Sequence, residues 1–405
     1  MPKQRTLLVA QSGGATAVIN ASLAGVVDAA LASGEYGRVL GARNGIEGVL
    51  QEHLVDLTDL EPTLRNRLRR TPSSALGTGR YKLQDDEVDT CIRSLARLGV
   101  SAFVLIGGND SADTANRIHH RSRDLGIDIQ AVAVPKTVDN DLEVTDHCPG
   151  YGSLARALGN VVRDATWDTL ASPMLYPVKV IEVMGRDAGW VAAAGAIGFD
   201  LSEGDLSPIV LVPEQPPADA DDVVSLVAED IASRGWSVVV IPETLRTSAG
   251  SHFGGEVPEY VDPHGHPYFA SAGSGLARTI ADRLGVRARA EKPGSFLRMS
   301  TAMASEVDRD EAYALGAAAA RNALDGRGGT MPVLSRRPGS TYACDIETAP
   351  LSEIANNVRQ LPEAFIPAGR RGLTPAFRDW AMPILGEKPF PDYARILENG
   401  HSDTN

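Results

Sequence analysis

Cysteine is scarce in this sequence, which has three among its 405 residues: Cys91, Cys148 and Cys344. They are odd in number, widely spaced and form no Cys-x-x-Cys pair, so the sequence indicates neither a disulfide framework nor a zinc site. Long hydrophobic runs are also missing, because the longest weakly polar stretch, 190–199, is too short and too rich in Gly and Ala to cross a bilayer. Residues 1–5 lead into a predicted strand rather than a signal peptide. We therefore expect a cytoplasmic protein with no membrane partner.

Basic residues are outnumbered, with 39 Lys and Arg against 52 Asp and Glu and a formal net charge of -13. Nucleic-acid backbones favour stripes of Lys and Arg that this chain lacks, so we expect no nucleic-acid partner. An anionic substrate would need a local basic pocket. The hydrophobic content of 43% is that of an ordinary globular protein, and a chain this long predicts two domains.

The most informative stretch is the polar heptad Pro135–Asp141. It directly follows an apolar run that predicts a buried strand over 129–134, so the heptad emerges at the carboxyl end of a strand, where open α/β sheets place ligands. It presents one cation, one hydroxyl and two carboxylates: Lys136, Thr137, Asp139 and Asp141. Such a set can orient a hydroxyl nucleophile, accept its proton and hold a metal or a phosphate. The alternative is a polar turn without chemistry.

Two predicted strands each lead through a glycine pair into a helix, at Gly13–Gly14 and at Gly107–Gly108. A turn of this kind places backbone N–H groups where a phosphate can bind, and two of them in one parallel sheet could face a single polyphosphate. Either pair could instead be a tight turn with no ligand. Asn109 and Asp110 after the second pair resemble oxygen ligands for Mg²⁺, although Asp110 could simply cap a helix.

Further arginines and an acidic residue follow predicted strands or loops. Arg80 lies on a Gly-flanked loop that suits bidentate phosphate binding, although a surface arginine is the commoner outcome. Glu243 follows a strand and could accept hydrogen bonds from sugar hydroxyls. Arg287 and Arg289 would share one face of a strand. Strands and helices alternate throughout, which predicts an α/β fold, and the proline-rich tail from Pro332 is expected to wrap without forming a third core.

In combination, these motifs come in the order of the phosphofructokinase family, which the sequence resembles over roughly its first 325 residues. The motifs are Gly13–Gly14, Arg80, Gly107–Ser111, Pro135–Asp141, Met184–Arg186, Glu243, Arg289 and Arg298. The heptad, followed about 45 residues later by Met-Gly-Arg, is the most specific part. Each loop is a weak signal alone, and together they are specific.

The resemblance implies two Rossmann-like three-layer domains with mostly parallel sheets and an active site in the cleft between them. Residues 1–150 plus about 296–345 would bind the phosphoryl donor, and residues 151–295 plus about 346–405 would bind fructose 6-phosphate. Family members that use ATP have glycine at the positions of Asp110 and Lys136, whereas this sequence is similar to the diphosphate-dependent members. A side chain at 110 would fill the space of an α-phosphate, and the ammonium of Lys136 would neutralise diphosphate.

The resemblance also implies a role for each site residue in a magnesium-dependent, reversible transfer to the sugar's 1-hydroxyl. Asp139 would be the general base, with Thr137 and Asp141 positioning the hydroxyl and Lys136 on the transferring phosphoryl group. Gly14 and Arg80 would contact diphosphate, and Asp110 or Asn109 would approach Mg²⁺. Fructose 6-phosphate would be held by a further set: Met184, Gly185, Arg186, Glu243, Arg289 and Arg298.

The sequence departs from the family pattern at several positions. Asn109 replaces the usual metal-associated aspartate, and Ala15–Thr16 replaces an Asp-Ala pair. Ser295 occupies a position that is usually His or Tyr. Pro177 lies where family tetramers have an arginine that reaches a neighbour's sugar phosphate, and Lys179 need not replace it. We expect a homo-oligomer, dimer or tetramer.

Two other functions remain open at this stage. An ATP-dependent sugar-phosphate kinase is the nearest alternative, since lysine in the heptad occurs in some ATP users. A catalytically silent regulator that binds sugar phosphate is favoured by Asn109, whereas the intact Asp139 and Lys136 argue against it. A dinucleotide-binding oxidoreductase is disfavoured because neither glycine pair completes Gly-x-Gly-x-x-Gly.

Overall fold

The computed structural model describes residues 5–79, 81–200, 206–255, 257–261 and 267–394. The strands are β1 (Arg5–Gln11), β2 (Tyr36–Ala42), β3 (Leu54–Asp56), β4 (Val100–Gly107), β5 (Gln130–Pro135), β6 (Val178–Val183), β7 (Ile209–Val210), β8 (Ser237–Pro242), β9 (Tyr260–Val261), β10 (Pro267–Tyr268), β11 (Ala288–Glu291), β12 (Thr330–Arg336) and β13 (Cys344–Pro350). The helices are α1 (Ile19–Ser33), α2 (Ile46–Leu50), α3 (Pro62–Leu68), α4 (Val88–Arg97), α5 (Asn109–Asp124), α6 (Tyr151–Ala171), α7 (Trp190–Ala194), α8 (Ala220–Arg234), α9 (Ala272–Leu284), α10 (Ser295–Met299), α11 (Glu306–Leu324) and α12 (Pro375–Ala381).

Seven strands form the first sheet, in the order β13-β12-β5-β4-β1-β2-β3. The neighbours β5, β4, β1 and β2 are parallel, whereas the edge strands β13 and β3 run antiparallel to their partners. Because parallel strands end at the same edge, the two glycine pairs and the heptad come together after β1, β4 and β5. This confirms the predicted strand–loop pattern.

Alternating side chains of the first sheet enter two different cores, as the period of two in a strand requires. Leu7 and Val9 of β1 face α1 and α11 in one core. Leu8 faces the opposite core, which includes buried residues of α4 and α5. The sheet is therefore the middle of three layers.

The second sheet has four parallel strands in the order β11-β6-β8-β7. Helices α6 and α7 cover one face, and α8 and α9 cover the other. The fold class predicted from the sequence is confirmed, since both large sheets are mostly parallel and lie between helices. Strand β6 ends next to Met184–Arg186, so this motif also follows a parallel strand.

The tail differs from the prediction over residues 330–350. There the chain forms β12 and β13, which extend the first sheet instead of wrapping around it. β12 pairs with β5 at Thr330 alone, and Pro332 has no N–H to continue a ladder on that side. Pro332 therefore marks the point where pairing with β5 stops. The rest of the described tail, up to residue 394, packs on α6 and α7 and adds no strand to a sheet, through buried side chains such as Phe377 and Leu385.

Among the described residues, no helix combines the length and the apolar character that a membrane crossing requires.

The first sheet includes residues up to Pro350, beyond the boundary near 345 that was predicted for the donor-binding part of the chain. The assignment of the two chain divisions to donor and sugar stays a prediction.

Candidate active site

A cleft lies where the carboxyl ends of β1, β4 and β5 face the loop after β6. Eight of the predicted site residues line it: Gly14, Asn109, Asp110, Lys136, Thr137, Asp139, Asp141 and Arg186. The two strand sets thus contribute to one site, although its residues are distant in sequence. Arg80 lies outside the described residues.

Lys136 connects the heptad to the first glycine pair. Its side chain is buried, and its Nζ donates a hydrogen bond to the carbonyl oxygen of Gly14 at 2.9 Å. Gly13 has a φ of 76°, and a Cβ at this position would lie 3.0 Å from the same Nζ. A side chain at 13 would therefore be both strained and crowded. The ammonium of Lys136 thus lies beside the backbone of the first glycine pair, where a phosphate can bind.

The turn within the heptad directs its two aspartates. Asn140 is buried with a left-handed φ of 57°, and its Oδ1 accepts the N–H of Cys148 at 2.9 Å. The hydroxyl oxygen of Thr137 accepts the N–H of Asp139 at 3.1 Å, and this hydroxyl also hydrogen-bonds the carboxylate of Asp141. These hydrogen bonds fix the turn that carries both aspartates, which line the cleft.

The carboxylates of the heptad interact strongly. Burial and the nearby carboxylates of Asp141 and Glu243 raise the pKa of Asp139 to about 7. The positive charges of Arg186 and Lys136 oppose this rise. Asp139 can thus accept a proton near neutral pH, which is the property a general base needs.

Asp141 offers an oxygen suited to a cation. Burial raises its pKa, against a lowering effect of the Thr137 hydrogen bond. Its Oδ1 is buried and has no hydrogen-bond partner in the described part of the chain. Buried carboxylate oxygens require a donor or a cation. Together with the cleft residue Asp110, this donor set fits a magnesium-bound phosphate.

In Asn109, in contrast, both the oxygen and the nitrogen of the side-chain amide are hydrogen-bonded. Its Oδ1 accepts the N–H of Asn356 at 2.7 Å, and its Nδ2 donates to the carbonyl of Asn357. Asp110 therefore fits the predicted role of metal ligand better than Asn109 does. Asp110 lies in the first turn of α5, whose N-cap is Gly108, so the alternative reading of Asp110 as the cap was wrong.

A group of three metal-type ligands does occur elsewhere in the described residues, at Asp146, His147 and Cys344. The ring of His147 already lies between Asp146 at 2.8 Å and Glu311 at 2.7 Å, and Arg336 also donates to Asp146. Burial disfavours the charged ring, but these two carboxylates raise the pKa of His147 to about 9. We interpret the group as a structural ion-pair network.

Four of the predicted sugar-binding residues lie in or beside the loops that border the cleft. Glu243 lies beside the loop after β6 and donates its N–H to the carbonyl of Val183 at 2.9 Å. Its carboxylate raises the pKa of Asp139. Arg298 donates to the carbonyl of Ala15 at 2.8 Å, next to the first glycine pair. Met184 packs against the core of α6 and α7, and Gly185 has a φ of 92° in the same loop.

Arg289 is not brought to this cleft. It is exposed on β11 opposite Lys179, its guanidinium 3.3 Å from the ring centroid of Tyr176. Lys179 precedes the end of β6 by four residues, a separation of roughly 13 Å at about 3.3 Å per residue. Lys179 itself is buried against Asp168 at 2.5 Å, so it does not replace the arginine missing at Pro177.

Sequence reasoning missed two cleft residues in the tail, Asn356 and Val358. Asn356 has a left-handed φ of 63°, a conformation that asparagine tolerates better than most residues. The pair Asn356–Asn357 was the available signal of a special turn. Nothing in the sequence places that turn 247 residues away beside Asn109.

Two glycine loops, a buried lysine and a carboxylate with a pKa near neutrality, set between two parallel sheets, define an enzyme that transfers phosphoryl groups. The phosphofructokinase family model matches residues 6–323, and the chain belongs to this family. A pyrophosphate--fructose 6-phosphate 1-phosphotransferase of Methylococcus capsulatus is 37% identical over 96% of this chain and 94% of its own. One of Halomonas elongata is 36% identical over 98% and 94%. The solved pyrophosphate-dependent phosphofructokinase of Nitrosospira multiformis has a TM-score of 0.85 at 34% identity, covering 99% of this chain and 95% of that one.

Proposed function

We propose that this chain transfers a phosphoryl group from diphosphate to the 1-hydroxyl of fructose 6-phosphate, giving fructose 1,6-bisphosphate and phosphate. The observation that carries the proposal is the buried Lys136, whose ammonium lies at the first glycine pair in the same cleft as Asp139. The names of relatives matched over nearly the full chain support the same donor. The reaction is reversible because diphosphate is a modest phosphoryl donor.

In the proposed reaction, Asp139 removes the proton of the sugar hydroxyl as this oxygen attacks the phosphoryl group. Thr137 and Asp141 orient the base and the hydroxyl. Lys136 neutralises the charge that develops on the transferring group, and Gly14 and Arg80 hold the donor phosphates. Fructose 6-phosphate is held by a separate set: Met184, Gly185, Arg186, Glu243 and Arg298.

Membership of the family implies a divalent metal, and we propose Mg²⁺. Asp110 and Asp141 are the residues that would hold it with the donor, since both supply carboxylate oxygens and one oxygen of Asp141 lacks a partner in the described chain. When bound, Mg²⁺ supplies positive charge to the phosphate oxygens. Asn109 supports the loop instead of the metal.

The exposed position of Arg289 favours a homo-oligomer. Because this side chain lies at the far end of the second sheet from its own cleft, it can contact a sugar phosphate only in another copy. A dimer or tetramer, a cytoplasmic location and the division of the chain into donor and sugar domains stay predictions. Residues 1–150 plus about 296–345 would serve the donor.

A donor assay tests the proposal. Fructose 1,6-bisphosphate formation is measured with fructose 6-phosphate and Mg²⁺, with either diphosphate or ATP as the donor. We expect kcat/KM for diphosphate to exceed that for ATP by at least about 100-fold, corresponding to about 2.7 kcal/mol of transition-state stabilisation. A preference for ATP would establish the kinase alternative, and turnover with neither donor would support the silent regulator.

A further inference from the structure

A short piece of the tail forms one wall of the cleft. We call residues 356–359 the tail clasp. They lie beyond the stretch matched by the family model, which ends at residue 323. Asn356 and Val358 nevertheless line the same cleft as Gly108, Asp110 and Ser111.

The first end of the tail clasp is bound to helix α5. Asn356 donates its N–H to Oδ1 of Asn109 at 2.7 Å and its Nδ2 to Oδ1 of Asp113 at 3.0 Å. Asn109 donates in turn to the carbonyl of Asn357. These contacts hold the tail against the first turns of the helix that follows the second glycine pair.

The other end is bound to the heptad and to the second sheet's side of the cleft. Arg359 donates its N–H to the carbonyl of Asp141 at 2.9 Å, and its Nη2 donates to the carbonyl of Asn140 at 3.2 Å. Its guanidinium lies 4.4 Å from the ring centroid of Trp190, whose Nε1 donates to the carbonyl of Arg359 at 3.0 Å. Anchored at both ends, the clasp keeps a fixed position between α5 and the heptad.

We propose that the tail clasp determines donor size. If the donor phosphates bind at the N-terminus of α5, as the proposed function requires, a nucleoside would have to continue past this helix. Asn356, bonded to Asp113, already occupies that side. Val358, with 42% of its surface exposed, adds an apolar side chain to the wall. The tail clasp thereby bounds the cleft on the side where a nucleoside would extend beyond a donor as short as diphosphate.

The test opens the wall without unfolding it. In the double variant Asn356→Gly/Val358→Ala, glycine retains the left-handed backbone and the N–H bond to Asn109, while both wall side chains are shortened. Val358→Ala alone is the milder variant. Val55→Ala is the matched control, because Val55 is similarly exposed, at 38%, but lies on the edge strand β3. Wild type is measured beside them.

The readouts are KM for diphosphate, KM for fructose 6-phosphate, kcat, and the inhibition constant of a non-hydrolysable ATP analogue competing with diphosphate. We expect the double variant to raise the diphosphate KM about tenfold and to lower the analogue's inhibition constant about tenfold, the effect of one lost or gained contact. The sugar KM should change less than twofold. Val358→Ala should show the same trend at smaller size, and the control should match wild type.

The proposal is overturned if the double variant binds diphosphate and the analogue as wild type does. It is also overturned if both KM values and kcat change in parallel, because that pattern marks general loosening of the fold. The measurement on wild type distinguishes a failure of the proposed function from a failure of the role assigned to the tail clasp. If wild type rejects diphosphate, the proposed function fails; if it uses diphosphate and the variants behave alike, only the clasp's role fails.

Discussion

At the scale of single residues, the raised pKa of Asp139, the proposed general base, predicts how the enzyme responds to pH. A general base acts only when it is deprotonated, so a pKa of about 7 predicts that kcat/KM falls as pH decreases through 7. Asp139→Asn should lower kcat by about 10²–10⁴-fold and abolish this acidic limb. Steady-state profiles between about pH 5.5 and 8.5 measure both. A flat wild-type profile would contradict the assignment, as would wild-type turnover in the variant.

The raised pKa of Asp139 also predicts how the stability of the folded protein depends on pH. Because the pKa is raised from 3.8 to about 7, the native state binds this proton more tightly than the unfolded chain does. Asp139 therefore costs stability above pH 7 and costs nothing below its unfolded pKa. Without ligands, Asp139→Asn should melt at a higher temperature than wild type at pH 8, with a smaller difference at pH 5.

Some site residues could be predicted from the sequence and others could not, for a physical reason. Lys136, Thr137, Asp139 and Asp141 could be found because polar groups directly after a buried strand must lie at the sheet's carboxyl edge. The bonded state of Asn109 could not be found, since it depends on a turn in the tail. The position of Arg289 was missed because a strand pattern does not state which end of the sheet a residue occupies.

At the scale of elements, the helix that follows the first glycine pair depends on close contact with α11. A Cβ at Gly25 of α1 would lie 2.0 Å from the carbonyl oxygen of Tyr313, and one at Gly316 would lie 2.0 Å from that of Ser22. Backbone atoms cannot rotate away, so the two helices can approach only through glycine. The strand, glycine pair and helix pattern predicted α1 but not this contact.

Gly25→Ala should therefore destabilise the protein by about 1–3 kcal/mol or more, because the helices must separate to admit one methyl group. Urea denaturation followed by circular dichroism measures the free energy of unfolding. Gly369→Ala is the control, since a Cβ there meets nothing within 4 Å and its expected effect is within about 0.5 kcal/mol. Equal stability of the two variants would show that α1 and α11 can shift freely.

At the scale of the whole molecule, the loops after β1, β4 and β5 and the loop after β6 meet at one cleft. The alternation of strands and helices predicted an α/β fold, and the family resemblance predicted two mostly parallel sheets with the site between them. The tail was the part that sequence reasoning described least well. It contributes two strands to the first sheet and a wall to the cleft, and a hydrogen bond that holds this wall joins residues 247 positions apart.

We propose that this cleft exchanges a phosphoryl group with inorganic phosphate rather than with a nucleotide. ³¹P NMR tests it directly in the reverse direction, with fructose 1,6-bisphosphate, phosphate and Mg²⁺ and no nucleotide present. We expect diphosphate to appear in step with fructose 6-phosphate, and to be absent with Asp139→Asn. Failure to form diphosphate, together with formation of ATP when ADP replaces phosphate, would show that the cleft uses a nucleotide instead.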